Sequence, residues 1–112
     1  MQLYHNPRCR KSRETLAFLK EQGIEPQIIE YLKTPPDFQT LKLIIEKLGI
    51  KPFDLIRKKE AEFTENYKGQ NLTDDQYIEA MVKFPKLIER PIAITEKGAA
   101  IGRPMENVLK LI

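Results

Sequence analysis

The only thiol in the sequence, Cys9, is crowded by four cations, Arg8, Arg10, Lys11 and Arg13. A lone cysteine cannot make an internal disulfide. With His5 as the only other soft ligand it cannot complete a four-ligand zinc site either, so no metal is expected. Two uses remain, a small apolar residue in the core or a reactive nucleophile. The reactive form of cysteine is the thiolate, and a helix N-terminus with basic neighbours lowers the pKa from about 8.5 to roughly 3.5–7.5. Cys9 has the basic neighbours and stands just before a segment with helical spacing, which favours the nucleophile.

Ser12 follows Cys9 at the spacing of a Cys-x-x-Cys motif, with a hydroxyl in place of the second thiol, and positions three apart share a helix face. Its hydroxyl can donate to the thiolate or cap the helix. It cannot resolve a disulfide, so any covalent intermediate on Cys9 requires an external thiol. His5, the only histidine, has a reference pKa near 6.5 and either tunes the thiolate or fills a structural place before the turn. Arg57, Arg90 and Arg103 are open to both a solvated and an anion-binding use. Arg90-Pro91 and Arg103-Pro104 each set a guanidinium before a proline, where the restricted backbone can hold the side chain in one direction. A planar guanidinium suits an oxyanion because it donates paired hydrogen bonds.

The elements that must position these residues follow from periodicity and breakers. Residues 2–4 form a short apolar strand ended by Asn6-Pro7, and residues 12–22 a helix closed by Gly23. Residues 26–32 are rich in β-formers and stop at Pro35-Pro36. Residues 37–48 carry Phe38, Leu41, Ile44, Ile45 and Leu48 at helical spacing before Gly49. A short helix or turn is expected over 52–59 and an irregular connection over 60–71. Thr73 then caps a helix whose buried face is Tyr77, Ile78, Met81 and Val82, ended by Pro85. Strands over 91–95 and 99–102 turn at Lys97-Gly98, and Met105, Val108, Leu109 and Ile112 form a last helical stripe. A parallel βαβ pair joined to a C-terminal hairpin makes an α/β domain spanning 1–112. It is a four-stranded mixed sheet flanked by helices, with a helical insertion between the βαβ unit and the hairpin.

Composition bounds the function classes. With 112 residues, 41% hydrophobic and 31% charged, the chain reads as one globular domain whose core needs no metal or disulfide. No apolar run is long enough to span a bilayer, and Tyr4-His5-Asn6-Pro7 interrupts any signal-peptide core, so a cytoplasmic location with no membrane partner is expected. The net charge of +3 is too mild to favour nucleic acid, and the acidic residues Glu60, Glu62, Glu65, Asp74 and Asp75 lie away from the basic run at Cys9.

The segment Tyr4-His5-Asn6-Pro7-Arg8-Cys9-Arg10-Lys11-Ser12-Arg13-Glu14-Thr15-Leu16 resembles the active-site segment of the ArsC family, the glutaredoxin-coupled arsenate reductases and related proteins. The similarity continues through Thr73-Asp74-Asp75-Gln76 and Arg90-Pro91-Ile92 to Arg103-Pro104. The resemblance implies a thioredoxin-like fold and an oxidoreductase in which Cys9 attacks arsenate. Arg57 (in Leu55-Ile56-Arg57-Lys58), Arg90 and Arg103 then hold the oxyanion, with His5 and Ser12 beside the nucleophile. It also implies a cis Arg90-Pro91 bond, glutathione as co-substrate, glutaredoxin as partner and no tightly bound cofactor. Arg10-Lys11 stands where arsenate reductases of this kind tend to have small residues. Two alternatives share Cys9 or the fold: a monothiol glutathione-dependent thiol-disulfide oxidoreductase, and a regulator of the Spx kind that binds RNA polymerase.

Overall fold

A computed structural model describes residues 1–112, which divide into two compact units. The first joins Met1–Thr34 to Arg90–Ile112, and the second is the intervening Pro35–Glu89.

The first unit is built on a four-stranded sheet in the order β2-β1-β3-β4. β1 (Gln2–Tyr4) runs parallel to β2 (Gln27–Ile29) and antiparallel to β3 (Ile92–Thr95), which turns into β4 (Gly98–Ile101). Glycine is required at the start of β4, because Gly98 takes φ 140° after the two-residue turn at Glu96-Lys97. The crossover from β1 to β2 is α1 (Arg10–Glu21). Period-two alternation places Leu3, Ala93 and Ala100 in one row across the strands. The alanines leave room for α1 and a C-terminal 3-10 helix (Met105–Leu111), so Leu19, Val108 and Leu111 close over the row as one buried cluster.

The last element differs from the expected stripe. A 3-10 helix repeats every three residues, so Val108 and Leu111 share its buried face, while Leu109 and Ile112 are about half exposed. β2 is also shorter than residues 26–32. It is an edge strand, and β1 offers only the partners Gln2, Leu3 and Tyr4.

The second unit is the helical insertion. α2 (Phe38–Leu48) starts at Asp37, whose carboxylate accepts the Thr40 N–H at 2.8 Å, and stops at Gly49 in the left-handed conformation. A 3-10 helix (Pro52–Leu55) leads to an isolated bridge between Ile56 and Ile88. Next comes α3 (Ala61–Asn66), a six-residue helix inside the stretch expected to be irregular. α4 (Asp74–Lys83) opens on a reciprocal cap between Thr73 and Gln76. It buries Tyr77, Ile78, Ala80 and Met81, with Val82 half-buried, and a 3-10 helix (Pro85–Leu87) follows it. Phe53 stacks tilted on Tyr77 at 5.1 Å between ring centroids, and Lys58 Nζ lies 4.1 Å from the centre of the Phe53 ring. No helix in the chain is long and apolar enough to cross a membrane.

Candidate active site around Cys9

β1 delivers the chain to the site. His5 extends the strand by donating its N–H to Ile29 O at 2.9 Å, and the backbone then turns through Asn6-Pro7-Arg8. Asn6 shapes this turn twice, its side-chain oxygen accepting the Arg8 N–H and its carbonyl accepting the Cys9 N–H, each at 3.0 Å. Cys9 emerges as the N-cap of α1 with extended backbone (φ -91°, ψ 122°), and its side chain makes no cap bond to the helix. The sulfur, half-exposed, instead sits over the unpaired N–H groups of the first turn.

Burial by itself pushes the Cys9 thiol up. The Ser12 N–H, the charge of Arg90, the Lys11 N–H and the Arg103 guanidinium together outweigh it, and the pKa is lowered from the ordinary thiol value. Alkylation by iodoacetamide should therefore stay fast into mildly acidic pH, with a midpoint below that of a free cysteine peptide. Coincident midpoints would remove the activated thiolate.

The cations that act on the sulfur are not the ones beside it in sequence. Arg10 and Lys11 turn to Glu14, at 3.1 and 3.8 Å, and Arg13 donates to Pro7 O at 2.9 Å. Arg90 and Arg103 arrive from the far end of the chain. Arg103 Nη2 donates to Cys9 Sγ at 3.4 Å, while its Nε donates to Arg90 O at 2.8 Å. The Arg90-Pro91 bond is cis, and so is Arg103-Pro104, for which the sequence offered no separate signal.

Ser12 is fully buried, and its hydroxyl takes neither of the two uses open to it, a bond to the thiolate or a cap on the helix. Its oxygen accepts the Asn6 N–H at 3.1 Å and is hydrogen-bonded to His5 Nδ1, and Ser12 favours the thiolate electrostatically through its backbone N–H. Burial lowers the His5 pKa; Glu30 opposes this and Arg13 adds to it. We assign a neutral imidazole that accepts the Ser12 hydroxyl proton. The pair thus braces the loop that carries Cys9.

Arg57 belongs to the second unit. Its N–H donates to Leu87 O at 2.8 Å, and its guanidinium is paired with Glu60 at 2.8 Å. In the first unit a cleft of about 290 Å³ opens beside the Cys9 loop, walled by Arg8, Glu30, Leu32 and Lys33. No group of His, Cys, Asp and Glu side chains is placed to hold a metal ion.

A cysteine at a helix N-terminus with a guanidinium on its sulfur can act as a nucleophile toward an anionic centre. The family model described as the ArsC family matches residues 4–111. An arsenate reductase of Neisseria meningitidis is 41% identical over 110 residues, covering 96% of this chain and 94% of the relative. The Escherichia coli K12 protein YfgD is 46% identical over 114 residues, covering all of this chain and 96% of the relative. The solved structure of an arsenate reductase from Vibrio cholerae superposes with a TM-score of 0.94 at 46% identity, covering 99% of this chain and 96% of that one. The match spans the thioredoxin-like sheet and the helical insertion alike, and the chain belongs to the ArsC family.

Proposed function

We propose that this chain reduces arsenate to arsenite through a covalent adduct on Cys9, with Arg90 and Arg103 holding the oxyanion and an external thiol completing the turnover. The observation that carries this reading is the Arg103 guanidinium, which donates to the nucleophile's sulfur while Arg90 O braces it. A cation in that place stabilises the thiolate before attack and the oxyanion's negative oxygens during it. The relatives named arsenate reductase, one of them matching 96% of this chain, support the same substrate.

In the first step the Cys9 thiolate forms a sulfur–arsenic bond, and one arsenate oxygen departs as water after protonation. Glutathione attacks the adduct, and glutaredoxin-type exchange then releases arsenite and free Cys9. Arsenic falls from the pentavalent to the trivalent state, and two thiols supply the electron pair by joining as a disulfide. Glutathione and glutaredoxin are proposed because Cys9 is the only thiol in the chain and cannot be regenerated from within. In the cleft beside the Cys9 loop Arg8 can attract an anionic thiol, while Lys33 is paired with Glu30 at 3.4 Å. The part of Arg57 in oxyanion binding rests on the sequence resemblance alone.

The test is arsenite formation with glutathione and glutaredoxin, omitting each in turn, beside reduction of a glutathione mixed disulfide. Arsenate-dependent turnover that needs the external thiol is expected. Mixed-disulfide reduction without arsenate turnover would overturn the substrate in favour of a monothiol oxidoreductase. Arg57→Ala in the same assay should raise the arsenate KM, and an unchanged KM removes Arg57 from the site.

A further inference from the structure

Arg103 reaches Cys9 from a stretch of chain pinned at three successive carbonyls. Asn107 Nδ2, on the C-terminal 3-10 helix, donates to Ile101 O and Arg103 O, each at 3.2 Å. Between them, Gly102 O accepts the hydroxyl of Thr15 at 3.0 Å, and the Gly102 N–H donates to Pro91 O at 2.9 Å. Of these anchors only Thr15 stands on α1, the helix whose N-cap is Cys9. The nucleophile and the guanidinium that serves it are thus tied through one side chain that touches neither.

The contact is close on both sides. Thr15 is fully buried, and a Cβ at position 102 would lie 2.7 Å from Thr15 Oγ1, 2.8 Å from Thr15 Cγ2 and 3.0 Å from Pro91 Cγ. Gly102 has no left-handed backbone to explain the glycine, so the requirement is space for α1 to meet the end of β4. The single Thr15 hydroxyl proton is shared between the Gly102 carbonyl, at 3.0 Å, and the Lys11 carbonyl one turn back, at 3.1 Å, so a local acceptor remains if the Gly102 contact is lost.

We propose that Thr15, assisted by Asn107, is a positioning residue that fixes the reach of Arg103 to Cys9 by tying the Gly102 carbonyl to the helix carrying the nucleophile. This rests on the proposed function only in taking Cys9 as the reacting thiol. Losing the tie lets the Arg103 backbone drift, and a hydrogen bond to sulfur weakens with each increment of distance. The charges acting on the sulfur are Arg90 and Arg103, with Arg10, Lys11 and Arg13 engaged elsewhere and Arg8 lining the neighbouring cleft, so the drift appears in the titration of Cys9.

The experiment is the pH profile of Cys9 alkylation in the full chain, which requires no arsenate. Thr15→Val removes the hydroxyl at nearly constant volume. It should raise the midpoint by roughly half a unit, an approximately threefold fall in rate on the acid side. Thr15→Ser keeps the hydroxyl and should restore the profile. In an Arg103→Ala background Thr15→Val should add no further shift, because its effect travels through the missing guanidinium. A shift that persists in that background, or no shift in folded Thr15→Val, overturns the proposal. Should Thr15→Val fail to fold, Asn107→Ala, an exposed position, decides by the same two criteria. A parent midpoint equal to that of a free cysteine peptide would overturn both this and the activated thiolate, whereas a depressed midpoint indifferent to Thr15→Val overturns this inference alone.

Discussion

Cys9→Ser will lower arsenate turnover by about 10³-fold or more, the scale on which enzymes lose rate when their nucleophile is removed. Serine keeps the shape and the N-cap position, but its hydroxyl stays protonated where a lowered thiol does not, and an alkoxide is not available to attack arsenic. Anion binding should survive, because Arg90 and Arg103 are untouched and Arg103 Nη2 loses only its sulfur partner. Arsenite formation and sulfate affinity, measured together, separate the two effects. Substantial turnover in the serine variant would show that the sulfur is not the attacking atom, and a parallel loss of sulfate affinity would show that the anion is held by something other than the arginines.

The second large effect belongs to Arg103. Arg103→Ala removes the donor to Cys9 Sγ and the brace on Arg90 O. A charge-assisted hydrogen bond contributes on the order of 1.5–3 kcal/mol, so kcat/KM should fall roughly 10- to 150-fold. Arg103→Lys should recover only part, since an ammonium keeps the charge without the fork that serves two acceptors at once. Arg10→Ala is the control, because its side chain is 84% exposed and directed at Glu14. Comparable losses at Arg10 and Arg103 would indicate a diffuse positive field and remove the specific contact.

What could be read from the residues divides along the range of the interactions. Caps and stops are local. Asp37 and Thr73 at helix starts and Gly49 at a helix end were legible, because each follows from the unpaired backbone groups of its own neighbourhood. The hairpin instead turns at Glu96-Lys97, one residue before the expected Lys97-Gly98, and Gly98 opens β4. The position of Cys9 at a helix N-terminus was legible for the same reason, although α1 begins at Arg10, two residues before the expected start at Ser12. α3 escaped notice because six polar-rich residues with only Phe63 buried carry no period. The last helix was read with the wrong period, which put Leu109 and Ile112 in the core in place of Leu111.

At the site, sequence proximity misled. The basic run around Cys9 suggested its own explanation for an activated thiol, yet the sulfur is served by residues 81 and 94 positions further along, Arg90 and Arg103. Ser12 was singled out for its hydroxyl and acts on the sulfur through its backbone N–H, a choice made by the buried His5 ring that claims the hydroxyl. Thr15, Gly102 and Asn107 form no motif. Their signal exists only once β4 and α1 have met.

The pairing of Leu3 with Ala93 also orders events during synthesis. A ribosome releases β1, Cys9 and α1 first, then the whole of Pro35–Glu89, and only afterwards the hairpin that completes the sheet. The closure spans most of the chain, so the first unit assembles late, whatever local helix has formed before it. Throughout that interval the nascent thiol lacks both guanidiniums and is less ionised than it will become. Reactivity is conferred by the last segment made, and a chain cut short before Arg103 carries its cysteine without that charge on the sulfur.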